Sequence, residues 1–307
     1  MIQISVIICT HNREYYLQSA IESLKKQSLP SESFEVIIVN NASSDHTNSL
    51  VSLHQATMQN LKYIHEARLG LSFARNTGAE IAQGKYIVYL DDDAIAVDDW
   101  LSGIFDAFIN STLSPAAVGG PVQLNWEGGA PPEWLPRQYW SLYTHLDYGL
   151  VGRFITPEEY LVGANIGFNK KILLEIGGFD TRLGRKGLSL LSGEESSVLR
   201  ILRDRSLPIY YQPKALVYHT VPRERQSKNW LLRRLFWDGA SQPLLDRSLD
   251  HSRRFYFKQC LFDLRRMLRF SLDVILGNKT SIYSFFQRVG RLRTNLNLLL
   301  QPEQKDT

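Results

Sequence analysis

Four short apolar runs alternate with three amphipathic stretches over the first 90 residues, with no hairpin turn signal between them. Residues 2–8 (IQISVII), 35–39 (EVIIV) and 86–90 (YIVYL) are apolar strings too short for helices, and a shorter one lies near 62–65. Strings of this kind read as strands buried on both faces. Between them, residues 14–27 carry Leu17, Ile21 and Leu24 at helical spacing. Asp45 is placed to cap a helix over about 46–58, and Ser72 to cap one over about 73–82 that Gly84 closes. Strand–helix alternation without hairpins predicts an α/β chain, with a parallel sheet and helices on both faces.

The remainder is less regular. Residues 121–160 hold five prolines among Trp126, Trp134, Trp140 and several tyrosines, and read as structured loops with short helices. Residues 161–180 read as a strand, a helix and a Gly-Gly turn, 194–205 as a helix, and 208–218 as strand pieces. From about 228 onward the pattern is helical, with breaks expected near Pro243 and Gly277. Charge divides along the same line. Residues 1–222 hold 18 basic and 23 acidic side chains, whereas 223–300 hold 16 basic and 6 acidic. The first part suits a catalytic or binding body and the second a basic arm for an anionic surface.

Composition removes several classes. Two cysteines, Cys9 and Cys260, exclude a disulfide scaffold and a Cys-rich zinc module. Cys9, in an apolar run, is expected as a buried thiol. No apolar stretch approaches ~18 residues, and the N-terminus shows no secretion signal, so the expected location is the cytoplasm. There is no G-x-G-x-x-G, no Walker A loop and no G-x-S-x-G. No nucleic-acid module accompanies the basic arm.

Ligands of open parallel sheets sit at the carboxyl ends of the strands. Three strand ends carry unusual polar groups: Thr10-His11-Asn12-Arg13, the Asn40–Asp45 segment, and Asp91-Asp92-Asp93. Topology would bring them to one crevice. Asp91 and Asp93, two apart, share a face of extended backbone. Paired carboxylates repel unless a cation lies between them, and a hard divalent ion with oxygen ligands suits the pair. The plainer alternative is an acidic turn capping the next helix.

Ser5–Arg13 (SVIICTHNR), Val39–Asp45 (VNNASSD), Gly70–Gly78 (GLSFARNTG), Leu90–Asp93 (LDDD), Gly177–Asp180 (GGFD) and Gly193–Ser196 (GEES) together resemble the ordered motif set of family 2 glycosyltransferases. The resemblance covers roughly residues 1–220. It implies a GT-A fold with a Rossmann-like, mostly parallel sheet, and a helical C-terminal region lies beyond it. It also implies a nucleotide-sugar donor, a divalent ion (Mn2+ or Mg2+) and inversion at the anomeric carbon. The implied catalytic domain is 1–222, with a nucleotide-sugar half (1–120) and an acceptor half (121–222), followed by the basic helical region 223–307.

By position in those motifs, Asp93 resembles the metal ligand of the D-x-D motif, with Asp91 its partner and Asp92 near the ribose. Thr10, Asn12 and Arg13 would line the nucleotide end. Asn40 matches the base-contacting position, where many members carry Asp; its amide still offers one acceptor oxygen. Arg75 and Asn76 match the segment bordering the donor pocket. Glu194 and Glu195 match the acidic pair that supplies the general base, with Glu195 at the base position; both also suit a helix N-terminus. His219 resembles a histidine that completes the metal site in related enzymes. Arg223 and Arg225 come just after it and suit either the neutralising of a leaving diphosphate or plain solvation.

Most aromatics of 126–148 read as core, with Trp126 and Trp134 as sugar-stacking candidates. The C-terminal quarter interleaves Phe255, Phe257, Leu261, Leu264, Leu268 and Phe270 with Arg253, Arg254, Lys258, Arg265, Arg266 and Arg269. That pattern suits either packing with a solvated basic face or the inner face of the plasma membrane. The expected activity is sugar transfer from a UDP-, GDP- or dTDP-sugar to a saccharide or lipid-linked acceptor, without nucleic acid. A sugar nucleotidyltransferase and a non-catalytic sugar-nucleotide-binding scaffold remain as alternatives.

Overall fold

The computed structural model describes residues 1–246, 251–278 and 280–301; the rest of the predicted basic region lies outside the described residues. The apolar strings of the N-terminal stretch form β1 (Ile4–Thr10), β2 (Phe34–Asn40), β3 (Leu61–His65) and β4 (Tyr86–Leu90). They alternate with α1 (Glu14–Lys25), α2 (Thr47–Gln55) and α3 (Leu71–Ile81). All four strands are parallel, in the order β3-β2-β1-β4. β2 is buried at every position, and β1 at every position but Cys9, which is why their strings lack polar alternation. The chain runs from β1 to β2 and β3 on one side and then crosses back, through α3, to β4 on the other side of β1. The carboxyl ends of β1 and β4 therefore flank a topological switch point, where open sheets bind ligands.

Helix starts differ from the expectation in two places. Gly70, at φ 146°, precedes α3 and Ser72 lies inside it, because only a glycine takes that backbone angle readily. The residue before α2 is His46, yet Asp45 Oδ1 accepts from the Thr47 N–H and hydroxyl, while Oδ2 accepts from the Glu14 N–H at the start of α1. One carboxylate thus serves two helix N-termini.

Further along come β5 (Ala94–Ala96), α4 (Trp100–Asn110), β6 (Ala117–Gly119), β7 (Val122–Trp126), β8 (Arg153–Phe154), β9 (Asn165–Asn169), α5 (Lys170–Glu175), α6 (Glu194–Asp204), β10 (Ile209–Tyr211) and β11 (Val217–Val221). β9 inserts antiparallel between β4 and β6, and β10 and β8 extend the sheet to eight strands. A second sheet, β5-β11-β7, pairs His219 with Ala94 directly after the acidic turn. The loops expected over 121–160 contain a 3-10 helix (Arg137–Tyr143) but also β7 and β8, too short and too proline-flanked to stand out in the sequence. Asn165 joins these layers. Fully buried, it accepts from the Trp100 indole N–H at 2.8 Å and donates to the Pro121 and Ala215 carbonyls.

Two compact units result: Met1–Thr181 with Glu194–Arg223, and Arg182–Gly193 with Glu224–Thr307. The second is built on α7 (Lys228–Asp246), α8 (Arg253–Ile275) and α9 (Ser281–Leu300). Here the expected break at Pro243 does not occur. The proline falls in the last turn of α7, where its missing N–H interrupts a single helical bond. Gly277, at φ 98°, does follow the end of α8. α7 and α9 approach closely through Gly239 and Gly290. A Cβ at Gly239 would lie 1.8 Å from the Gln287 carbonyl oxygen, and one at Gly290 1.8 Å from that of Phe236.

Candidate functional site

The acidic turn at the end of β4 is held by its own backbone. The Ala94 N–H donates to the Asp91 carbonyl, and the Thr220 N–H of β11 donates to that of Asp93. Asp92 and Asp93 are buried, at 5% and 3% exposure, whereas Asp91 opens toward solvent. Arg13, arriving from the end of β1, donates to Asp92 Oδ1 at 2.9 Å and to Asp93 Oδ2 at 2.6 Å. Burial pushes the Asp92 carboxyl up to about 6, against the pull of Arg13. The other oxygen of Asp93 lies 3.1 Å from His219 Nε2, and His219 Nδ1 is buried without a hydrogen-bond partner.

Asp91, Asp93 and His219 each offer one ligand atom, all within 4.8 Å of one another. Among the described residues no other group of three such side chains does so. Two carboxylates and an imidazole with an unused buried nitrogen fit a divalent cation. The sequence held both motifs, but only the strand pairing of β11 with β5 brings His219, 126 positions downstream of Asp93, onto the same spot.

The loops after β1 and β2 are latched together. The Asn12 N–H donates to Ser43 Oγ, and Asn12 Oδ1 accepts from the Ser44 N–H at 2.7 Å; Asn12 sits at φ 53° to do so. Thr10 is buried at the strand end, beside Asp92. Asn40 is buried, its Oδ1 taken by the Ser43 N–H and its Nδ2 donating to the Tyr63 hydroxyl at 2.8 Å. Its amide is therefore oriented by its own loop. Asn41, not singled out from the sequence, ties this loop to the start of α3 by donating to the Glu66 and Arg68 carbonyls and accepting from the Gly70 N–H.

Arg75 is the charged link between the two acidic groups. Nearly fully buried, it donates to Glu194 Oε1 at 2.8 Å and to the Gly163 carbonyl at 3.2 Å, and lies 3.5 Å from Asp91. Its guanidinium stacks on Tyr89 and Phe179. Cys9 is half-buried rather than fully buried as the apolar run predicted, yet desolvation still pushes its thiol up to about 12, so it stays protonated. Glu194 and Glu195 open α6, where the helix dipole favours negative charge. Glu195 keeps one carboxylate oxygen, Oε2, buried without a hydrogen-bond partner.

Other expected residues take different tasks. Asn76 spends both ends of its amide on Phe179, donating to the carbonyl and accepting from the N–H at 2.8 Å each, so it clamps the Gly-Gly turn. Trp126 is buried against Trp140 and Tyr143 and presents no open face to a sugar, whereas Trp134 is half-buried. The Arg223 N–H donates to Glu127, whose other oxygen accepts from Tyr16.

Comparison with known proteins agrees with this architecture. A search of curated proteins finds 29% identity over 247 residues with the glucosyl-dolichyl phosphate glucuronosyltransferase of Haloferax volcanii, covering 80% of this chain and 77% of that protein. The succinoglycan biosynthesis protein ExoM of Rhizobium meliloti is 26% identical over 255 residues, covering 82% and 78%. Among solved structures, the mannosyltransferase PcManGT from Pyrobaculum calidifontis, in complex with GDP-Man and Mn2+, superposes with a TM-score of 0.58 at 22% identity, over 77% of this chain and 62% of that one. GalNAc-T7 with UDP, GalNAc and Mn2+ gives 0.55 at 18%, over 77% and 47%. The chain thus spans less than two thirds of either structure, and the architecture it shares with them is the GT-A fold. The model of glycosyl transferase family 2 matches residues 5–173, more than half of the chain. The protein is accordingly a member of glycosyl transferase family 2 and a glycosyltransferase.

Proposed function

We propose that the enzyme moves one sugar from a nucleoside-diphosphate sugar to a hydroxyl of a saccharide or lipid-linked acceptor, with inversion and with a bound divalent ion. The reading rests on one observation above all: two carboxylates and an imidazole converge at the switch point, and a second acidic pair is tied to them through Arg75. Asp91, Asp93 and His219 would hold the ion, and the imidazole favours Mn2+ over the strictly oxygen-seeking Mg2+. When bound, the ion supplies positive charge to the diphosphate oxygens of the donor.

Thr10, Asn12, Arg13, Asn40 and Asp92 line the nucleotide side. Arg13 supplies a second cation there, now paired with Asp92 and Asp93. Arg75 fixes Glu194 and leaves Glu195 as the base. Glu195 takes the proton of the acceptor hydroxyl while that oxygen bonds to the anomeric carbon. The carbon–oxygen bond to the diphosphate breaks on the opposite face, and its electrons leave with the nucleotide. Residues 121–181 and 194–222, the later part of the first unit, form the acceptor side. The names of the two relatives, a glucosyl-dolichyl phosphate glucuronosyltransferase and a succinoglycan biosynthesis protein, support glycan assembly as the setting.

The test is a thermal-shift series with UDP-, GDP- and dTDP-sugars, with and without Mn2+. One nucleotide class is expected to stabilise the protein only with metal. Asp93→Ala removes that stabilisation. Glu195→Gln keeps it and lowers transfer by roughly 10²–10⁴-fold. Equal loss of donor binding in both variants refutes this division of roles.

A further inference from the structure

We propose that the outer face of α8 is a docking surface for an anionic lipid bilayer. Phe257, Leu261, Leu264, Leu268, Leu272 and Ile275 are each at least 41% exposed. At 100° per residue they fall within an arc of about 80°, along a stripe about 27 Å long. Arg254, Lys258, Arg265 and Arg269, all exposed, follow on one edge of that arc. Neither carboxylate of α8 shares the face. Asp263 is fully buried, and Asp273 lies about 140° round from the centre of the stripe.

The polarity of this helix is inverted. A helix on a water-facing surface turns its leucines to its neighbour and its charges outward. Here the inward side carries Asp263, which accepts from Arg288 at 2.9 Å and from Asn295 at 3.1 Å on α9. Six large apolar side chains point the other way. A contiguous exposed stripe of this size marks an interaction surface.

Charge selects the occupant. Two copies meeting face to face would bring eight cations together with no carboxylate between them. An anionic interface accepts the apolar stripe among its acyl chains, while the arginine and lysine heads reach the phosphates. No helix among the described residues is long and apolar enough to cross a membrane, so α8 lies on the surface rather than through it. This surface does not depend on the donor chemistry, so its failure would leave glycosyl transfer standing.

The experiment is flotation of the full chain with vesicles of phosphatidylcholine alone or mixed with phosphatidylglycerol, at about 50 and 500 mM salt. Binding at least tenfold stronger to the anionic vesicles, weakened by salt, is expected. Leu264→Glu/Leu268→Glu should lose binding at least tenfold. Arg265→Glu/Arg269→Glu should lose the anionic preference. Both pairs are exposed, so unfolding midpoints should match the parent protein. Absence of anionic preference at low salt overturns the proposal, as does undiminished flotation of the Leu264→Glu/Leu268→Glu variant. A dimer seen by sedimentation velocity, dissolved by that variant in a protein that does not float, assigns the face to a second copy instead.

Discussion

Arg75→Ala tests how the two acidic groups are joined. The change removes a charge-assisted hydrogen bond to Glu194, of about 1.5–3 kcal/mol, and the bond to the Gly163 carbonyl, of about 1 kcal/mol. It also removes the stacking on Tyr89 and Phe179, about 0.5–2 kcal/mol. Glu194, 4% exposed, would stay buried near Asp91 without this guanidinium. The α6 N-terminus still offers the carboxylate about 0.3–1 kcal/mol. The net loss should be about 3–5 kcal/mol, the range for breaking a buried ion pair from one side. For a unit of this size that corresponds to roughly 6–20 °C in the unfolding midpoint.

Urea denaturation of four proteins measures it: the parent, Arg75→Ala, Glu194→Gln and the double variant. Because the double variant no longer strands a buried charge, it should be more stable than the sum of the single losses by at least about 1 kcal/mol. Arg75→Lys keeps the charge but not the fork, and should lose about half as much as Arg75→Ala. Additivity within ~0.5 kcal/mol would refute the pairing. So would a loss under about 1 kcal/mol for Arg75→Ala.

Glu66 gives a pH dependence. The Arg68 side chain and N–H, together with the Thr77 hydroxyl, hold its carboxyl down to about 2. A folded value below the unfolded one stabilises above about pH 4.5, and that contribution is lost as pH falls toward 2. A shift of this size implies roughly 3 kcal/mol, but Arg68 is largely exposed, and screening leaves about 1–2 kcal/mol. Glu66→Gln should be less stable by that amount at pH 7, with the gap to the parent closing between pH 4.5 and 2; a gap constant with pH would contradict the account. Asn165→Leu strands the Trp100 N–H and the Pro121 and Ala215 carbonyls and should cost about 3–5 kcal/mol in chemical denaturation; a loss below about 1 kcal/mol would show that those groups find other partners.

The sequence alone determined the parallel half of the sheet, because strands buried on both faces need uninterrupted apolar strings and their connections need helices. It also carried the acidic turn and the Glu194-Glu195 pair as local strings, legible before any fold was known. It carried β9 as a strand but not its antiparallel place, which those five residues owe to β4 and β6 rather than to their own pattern. Nor did it carry partnerships across distance. Arg13 reaches Asp92 and Asp93, Arg75 reaches Glu194, and His219 reaches Asp93, each across roughly 80–130 positions and each fixed by strand pairing and helix placement. Asn76 resembled a pocket residue, yet the turn it faces claims both ends of its amide.

The same limit governs the basic arm. A period of three and four residues establishes that α8 has an apolar face, since that spacing returns side chains to one side of any helix. It does not say whether that face turns inward or outward. That was decided by which side of α8 carries Asp263 toward Arg288 and Asn295, and so which side was left outward.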